Sequence, residues 1–80
     1  MTTFEKIRSM FADQLGIGDL DRITMDSDIV VDLEADSLDI FILISNFDKE
    51  FGITVSDEDA MNMKSIGDIV RYIDSHTSDK

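Results

Sequence analysis

A serine, Ser37, stands where the stretch VDLEADSLDIFILI turns from acidic residues to an almost unbroken apolar run. Asp32, Glu34, Asp36 and Asp39 surround it, and Ile40, Phe41, Ile42, Leu43 and Ile44 follow. A primary hydroxyl at a helix start is well placed to carry a phosphoester, because the unpaired N–H groups and the dipole of the first turn favour an attached phosphate. As a nucleophile for acyl transfer it lacks a neighbouring base. The single histidine, His76, lies in a polar terminal tail with no orienting partner in the sequence, and reads as solvated. On local sequence alone Ser37 is equally an ordinary helix-start residue. A second chemical candidate is Asp26-Ser27-Asp28, which begins like a calcium-binding loop. Its fifth and sixth positions are Val30 and Val31, where an EF-hand needs an oxygen ligand and a glycine.

The elements that must position Ser37 are helical. Thr2 and Glu5 form a capping box, after which Phe4, Ile7, Phe11 and Leu15 share one face until Gly16 provides a stop. Periodicity then fails from Gly16 to Ala35, although Ile17, Leu20, Ile23, Met25, Ile29, Val30 and Leu33 recur often enough to pin this loop onto a core. Structureless connections of such length are uncommon in compact domains and are often functional. The loop delivers the chain to a second helix spanning Ser37 to Phe51, with Asp36 as N-cap, Asp39 in the first turn and Gly52 as stop. On a 3.6-residue period Ile40, Leu43, Ile44, Phe47 and Phe51 face the core. Leu38, Ile42, Ser45 and Lys49 face outward, with Phe41 at the margin. Ile53 and Val55 flank Thr54 in a short extended piece. Ser56 with Asp59 caps a brief helix over Asp57 to Met61. Ser65 with Asp68 caps a last one, whose apolar stripe is Ile66, Ile69, Val70 and Ile73. Beyond Asp74 the chain is polar and frayed in this reading. The fold class is all-α: a small bundle of three main helices plus one short helix, with a long loop between the first two. Residues 1–75 form the domain and 76–80 a polar tail.

Eighty residues make one domain, and such a chain buries only about 60% of its unfolded surface, which disfavours a deep catalytic cleft. It has no cysteine, so neither a disulfide framework nor a thiolate metal site is available. No run approaches the roughly 20 apolar residues of a membrane span, and the N-terminus mixes acids and bases, so the expected location is the cytoplasm. Eighteen acids against seven bases give a net charge of −11, which repels nucleic acid and anionic lipid alike. The charge is concentrated around the serine. From Ile23 to Asp48 there is no Lys or Arg, while Asp26, Asp28, Asp32, Glu34, Asp36, Asp39 and Asp48 all occur. Such a segment suits docking onto basic partners, and it also suits a solvated face that keeps a small protein soluble.

At these residues the chain resembles the acyl carrier protein family along nearly its whole length. The resemblance rests on DLEADSLD, Asp32 to Asp39, opening the second helix of a short acidic chain, and on FDKEFGITVSDEDA, Phe47 to Ala60, and SIGDIVRYI, Ser65 to Ile73. It implies that Ser37 carries a 4′-phosphopantetheine arm, attached from coenzyme A by a phosphopantetheinyl transferase (holo-ACP synthase). Acyl groups then ride as thioesters on the arm's own thiol, so a carrier needs no cysteine. The protein is expected to be a monomeric carrier and not an enzyme, able to shelter an apolar chain in its core. The expected partners are acyl-transferring, ketosynthase-type or ligase enzymes with basic docking patches. Asp36 is implied to help the transferase engage, and Leu38, Asp39, Phe41 and Ile42 are the remaining docking candidates. No metal is expected in the carrier itself. Glu34 stands where the family commonly has glycine, Ile42 where an acid is usual, and Lys49 interrupts an acidic run. These departures leave the pathway open between fatty-acid, specialised lipid, polyketide and nonribosomal peptide synthesis. An unmodified acidic helical interaction domain and an EF-hand-like calcium binder are the alternatives.

Overall fold

The computed structural model describes residues 2–77. Its helices are α1 (Thr3–Leu15), α2 (Ser37–Phe51), α3 (Asp57–Asn62) and α4 (Ile66–Thr77), with one 3₁₀ turn at Leu20–Arg22 in the long connection. Local chemistry places the ends. The Thr2 N–H donates to Glu5 Oε1 at 2.8 Å and the Glu5 N–H to Thr2 Oγ1 at 3.1 Å, closing the capping box of α1. The Thr2 N–H, and then the Thr2 hydroxyl donating to the same oxygen at 3.3 Å, hold the Glu5 carboxyl below the usual carboxylate range. Gly16 ends the helix in the left-handed region (φ 71°), its N–H reaching the Ala12 carbonyl. Gly52 ends α2 in the same way (φ 70°).

Ile7 and Phe11 of α1, Leu43 and Phe47 of α2, and Ile66 and Ile73 of α4 are almost completely buried, with α1 packed against both α2 and α4. The Phe11 and Phe47 rings lie 6.4 Å apart and the Phe47 and Phe51 rings 6.2 Å, each pair tilted, so aromatic contacts join α1 to the middle and end of α2.

The long loop is anchored, as its apolar residues lead one to expect, but only some of them do the anchoring. Ile23, Ile29, Leu33 and Ala35 are buried and Ile17 packs against the core, whereas Leu20, Met25 and Val30 are exposed. The backbone explains this selection. Ile29 N–H donates to the Lys64 carbonyl, Ile66 N–H to Ser27 and Gly67 N–H to Met25, so a short antiparallel pairing at Asp28 and Ser65 stitches the loop to the start of α4. That register turns Ile29 inward and Val30 outward. The Asp28 carboxylate accepts the N–H groups of Val30 and Val31, and Asp32 accepts that of Asp28. Ser27 is buried, accepting from Thr24 N–H and donating to the Arg22 carbonyl. The polar groups of Ser27 and Asp28 thus close turns. Among the described residues no cluster of three or more acidic or histidine side chains is disposed to hold a metal ion.

The helix at the end is longer than expected. α4 continues past Asp74 to Thr77, because Thr77 Oγ1 donates to the Ile73 carbonyl at 2.8 Å and the His76 ring stacks on Tyr72 at 4.1 Å. His76, read from sequence as solvated, is exposed but held in this last turn, with Nδ1 at 2.8 Å from the Tyr72 carbonyl. Residues 76–77 of the expected polar tail are therefore helical, and 78–80 lie outside the described residues. Among the described residues no helix is long and apolar enough to cross a membrane.

Candidate functional site

Ser37 occupies the first position of α2 and is exposed. Three local devices put it there. Leu33 and Ala35 are both buried, and between them Glu34 adopts φ 60°, the left-handed region that glycine occupies most easily. The chain turns at Glu34 between these two anchors, with Ala35 N–H bonded to the Ile29 carbonyl. The departure from glycine noted in the sequence is thus carried as backbone strain, of about 1–2 kcal/mol for an L-residue. Asp36 then caps α2: Asp39 N–H donates to Asp36 Oδ1 at 2.9 Å, with Asp39 Oδ2 at 3.4 Å from Asp36 N. Gln14 of α1 donates to Asp39 Oδ1 at 3.2 Å, fastening the start of α2 to α1. Among the described residues the N–H groups of Ser37 and Leu38 have no hydrogen-bond partner. They leave two open donors where an attached phosphate would lie.

The outward face of α2 follows the sequence in outline and departs from it in degree. Leu38 is 66% exposed and Phe41 55%, so Phe41 belongs fully to the exposed face and not to its margin. Ile42 is only 37% exposed, its remaining area covered by the bundle. Asp36 is exposed, whereas Asp39 is half-buried and committed to the cap and to Gln14. His76 makes no hydrogen bond to Ser37, and no base adjoins the hydroxyl among the described bonds.

Two spaces adjoin the site. An open groove of about 350 Å³ runs between α2 and α3, lined by Ser37, Ile40, Phe41, Asp57, Ala60 and Met61. A second, apolar space of only about 10 Å³ shares Ile40 and Ala60 with it and is bounded by Leu43, Phe47, Met63 and Ile69, among others, room for a single water at most. Phe47 and Met63 thus line the interior, whereas Met61 is 80% exposed. Angular spacing on α3 accounts for this. Ala60 and Met63 are three residues apart and share the inner face, while Met61 is turned about 100° from Ala60. α3 is tethered to α4 by Tyr72 Oη, which donates to Asp59 Oδ2 at 3.0 Å. Burial, together with this bond to a carboxylate, pushes the Tyr72 phenol above its usual range.

An exposed hydroxyl opening a capped helix, with open N–H donors beside it and no base hydrogen-bonded to it among the described residues, suits attachment of a group better than catalysis. Residues 5–73 match the family described as "Phosphopantetheine attachment site". The chain is 49% identical to an acyl carrier protein of Clostridium acetobutylicum over 76 residues, covering 95% of this chain and 97% of that one. It is 45% identical to an acyl carrier protein of Clostridium perfringens over 74 residues, 92% and 96% of the two chains. A solved structure of the acyl carrier protein of Enterococcus faecalis superposes with a TM-score of 0.78 at 32% identity, covering 94% of this chain and 98% of that one. The chain belongs to the acyl carrier protein family. Its cofactor is covalent 4′-phosphopantetheine, whose thiol supplies thioester chemistry, and its role is that of a carrier served by a phosphopantetheinyl transferase and by acyl-handling enzymes.

Proposed function

We propose that Ser37 is the residue that takes the arm, and that acyl intermediates held on it are presented to partners over the exposed face of α2. The carrying observation is the exposed Ser37 hydroxyl at the first position of α2, behind the Asp36 cap and within the matched residues. Asp36, Leu38, Asp39, Phe41 and Ile42 form the docking face. Asp36 and Asp39 also hold the helix start rigid, so the hydroxyl is displayed in one orientation. The partners are the transferase and acyl-transferring, ketosynthase-type or ligase enzymes with basic docking patches, drawn in by the base-free segment around the serine. The protein works as a cytoplasmic monomer. Ile42, standing where an acid is usual, and Lys49, interrupting an acidic run, restrict the partner set in the manner of a specialised lipid, polyketide or nonribosomal peptide pathway.

Intact mass spectrometry tests the attachment. The apo protein, incubated with coenzyme A, magnesium and a broad-specificity phosphopantetheinyl transferase, gains one arm, and Ser37→Ala gains none. Equal labelling of the two proteins would overturn the assignment of Ser37.

A further inference from the structure

Ser37 stands between Glu34 and Asp39 in the chain, and both of these line a further groove that shares no lining residue with the one between α2 and α3. It holds about 380 Å³ between the end of α1, the 3₁₀ turn and the start of α2, and its walls include Gln14, Leu15, Ile17 and Arg22. Its polar groups are largely unspent. Among the described residues neither the Arg22 guanidinium nor the Glu34 carboxylate makes an ion pair or hydrogen bond, and Gln14 uses one amide N–H on Asp39 and leaves its carbonyl free. Donors and an acceptor thus share one space with the half-buried side chains of Leu15 and Ile17. A ligand for such a groove needs carbonyl oxygens for Arg22 and Gln14, an N–H for Glu34 and short apolar segments between them. The pantetheine arm, a chain of amides joined by methylene and dimethyl carbons, has this make-up. The groove between α2 and α3 serves it poorly. There Ile40, Phe41, Ala60 and Met61 present apolar surface, and Asp57 is the one polar side chain besides Ser37, whose hydroxyl the phosphoester consumes. An amide covered by such a surface loses water without gaining a partner.

We infer that the groove between the end of α1 and the start of α2 is a resting site for the pantetheine part of the arm in the unloaded carrier, with Arg22 and Gln14 donating to its amide carbonyls and Glu34 accepting an amide N–H. The inference rests on attachment at Ser37 and deepens it. The phosphate stays at the open N–H donors of Ser37 and Leu38, so only the neutral part of the arm meets the carboxylates of the groove. Contacts on so open a surface hold a free ligand weakly, but attachment makes them intramolecular, at an effective concentration of roughly millimolar order. Arg22 is the one cation lining either groove, and the site depends on it most. An arm at rest there leaves Leu38 and Phe41 uncovered, so a partner meets the docking face of α2 before the thiol moves.

NMR of the apo and holo proteins tests the site, with attachment of an isotope-labelled arm verified first by intact mass. In the holo protein, NOEs should link the dimethyl groups of the arm to Leu15 and Ile17, and the Arg22 Nε–H and Gln14 side-chain amide signals should shift from their apo positions. Arg22→Ala should gain the arm and keep the apo melting temperature near wild type, because the side chain is exposed and spends no bond on the fold. Its NOEs to Ile17 should fall several-fold with the loss of a charge-assisted donor. NOEs to Phe41 and Met61 instead place the arm between α2 and α3 and overturn the resting site. Shifts at Arg22 without NOEs report only the charge of the new phosphate and overturn it equally, as does an Arg22→Ala protein whose NOEs match wild type. In each of these cases the carrier reading stands, whereas failure of wild type to gain an arm removes both.

Discussion

Replacing Glu34 with glycine should stabilise the protein, because Glu34 is the one non-glycine residue with positive φ among the described residues, at 60°. The left-handed region costs an L-residue about 1–2 kcal/mol and glycine nothing. Glycine in turn loses about 0.5–1 kcal/mol through the greater freedom of the unfolded chain. The Glu34 side chain is exposed and makes no hydrogen bond or ion pair among the described residues, so truncating it removes no native contact of that kind. The balance favours Glu34→Gly by about 0.5–1 kcal/mol, or about 2–8 °C in melting temperature for a chain of this size. Removing one acid from an acidic surface acts in the same direction, so Glu34→Gln is the control: it drops the charge, keeps the strain and should stay within about 0.5 kcal/mol of wild type. Glu34→Val should be the least stable of the series, since a β-branched residue tolerates this conformation worst. Thermal melts and urea titrations with a common slope measure all four proteins. A glycine variant less stable than wild type, or a valine variant equal to it, would refute the claim that Glu34 carries strain.

Gly67→Ala should destabilise, because a Cβ there would lie 2.9 Å from the Met25 carbonyl oxygen that accepts the Gly67 N–H. Overpacking against backbone costs about 1–3 kcal/mol and outweighs the roughly 1 kcal/mol that alanine gains in a helix, which a lowered urea midpoint would register. Leu38→Glu should leave stability within about 0.5 kcal/mol, whereas Ile42→Glu, at a site only 37% exposed, should cost about 1 kcal/mol. Both should weaken partner docking, as titration of the holo protein against a cognate enzyme would report. Asp68 accepts the N–H groups of Lys64 and Ser65, and these bonds, helped by Arg71, hold its carboxyl below the ordinary range. Its contribution is therefore complete above the unfolded-state pKa of about 3.9 and is lost as pH falls through the lower folded-state value. Asp68→Asn should accordingly lower the melting temperature at pH 7 and converge with wild type in strong acid.

The helix boundaries were legible because they are made locally. Thr2 with Glu5, Asp36 with Asp39, Ser56 with Asp59 and Ser65 with Asp68 sit three residues apart, and in each pair the later N–H donates to the earlier side chain. Gly16 and Gly52 stop the first two of these helices by a conformation open to glycine itself. A serine opening α2, its acidic surroundings and the inward stripe from Ile40 to Phe51 follow from the same short-range rules. The loop from 16 to 36 has no period, so nothing in its order separates Ile29 from Val30. The pairing of this loop with Lys64 and Ser65, far along the chain, decides which of the two is buried. Only packing against the bundle could leave Ile42 half covered while Phe41 stands free. Only the placement of α3 beside α2 could turn Met61 and Phe41 into the walls of one groove, because a six-residue helix is too short for its pattern to show which face meets the core. The extension of α4 to Thr77 has the same origin: polar residues carry no apolar stripe, yet Thr77 and His76 bond back onto the turn before them and carry the helix on.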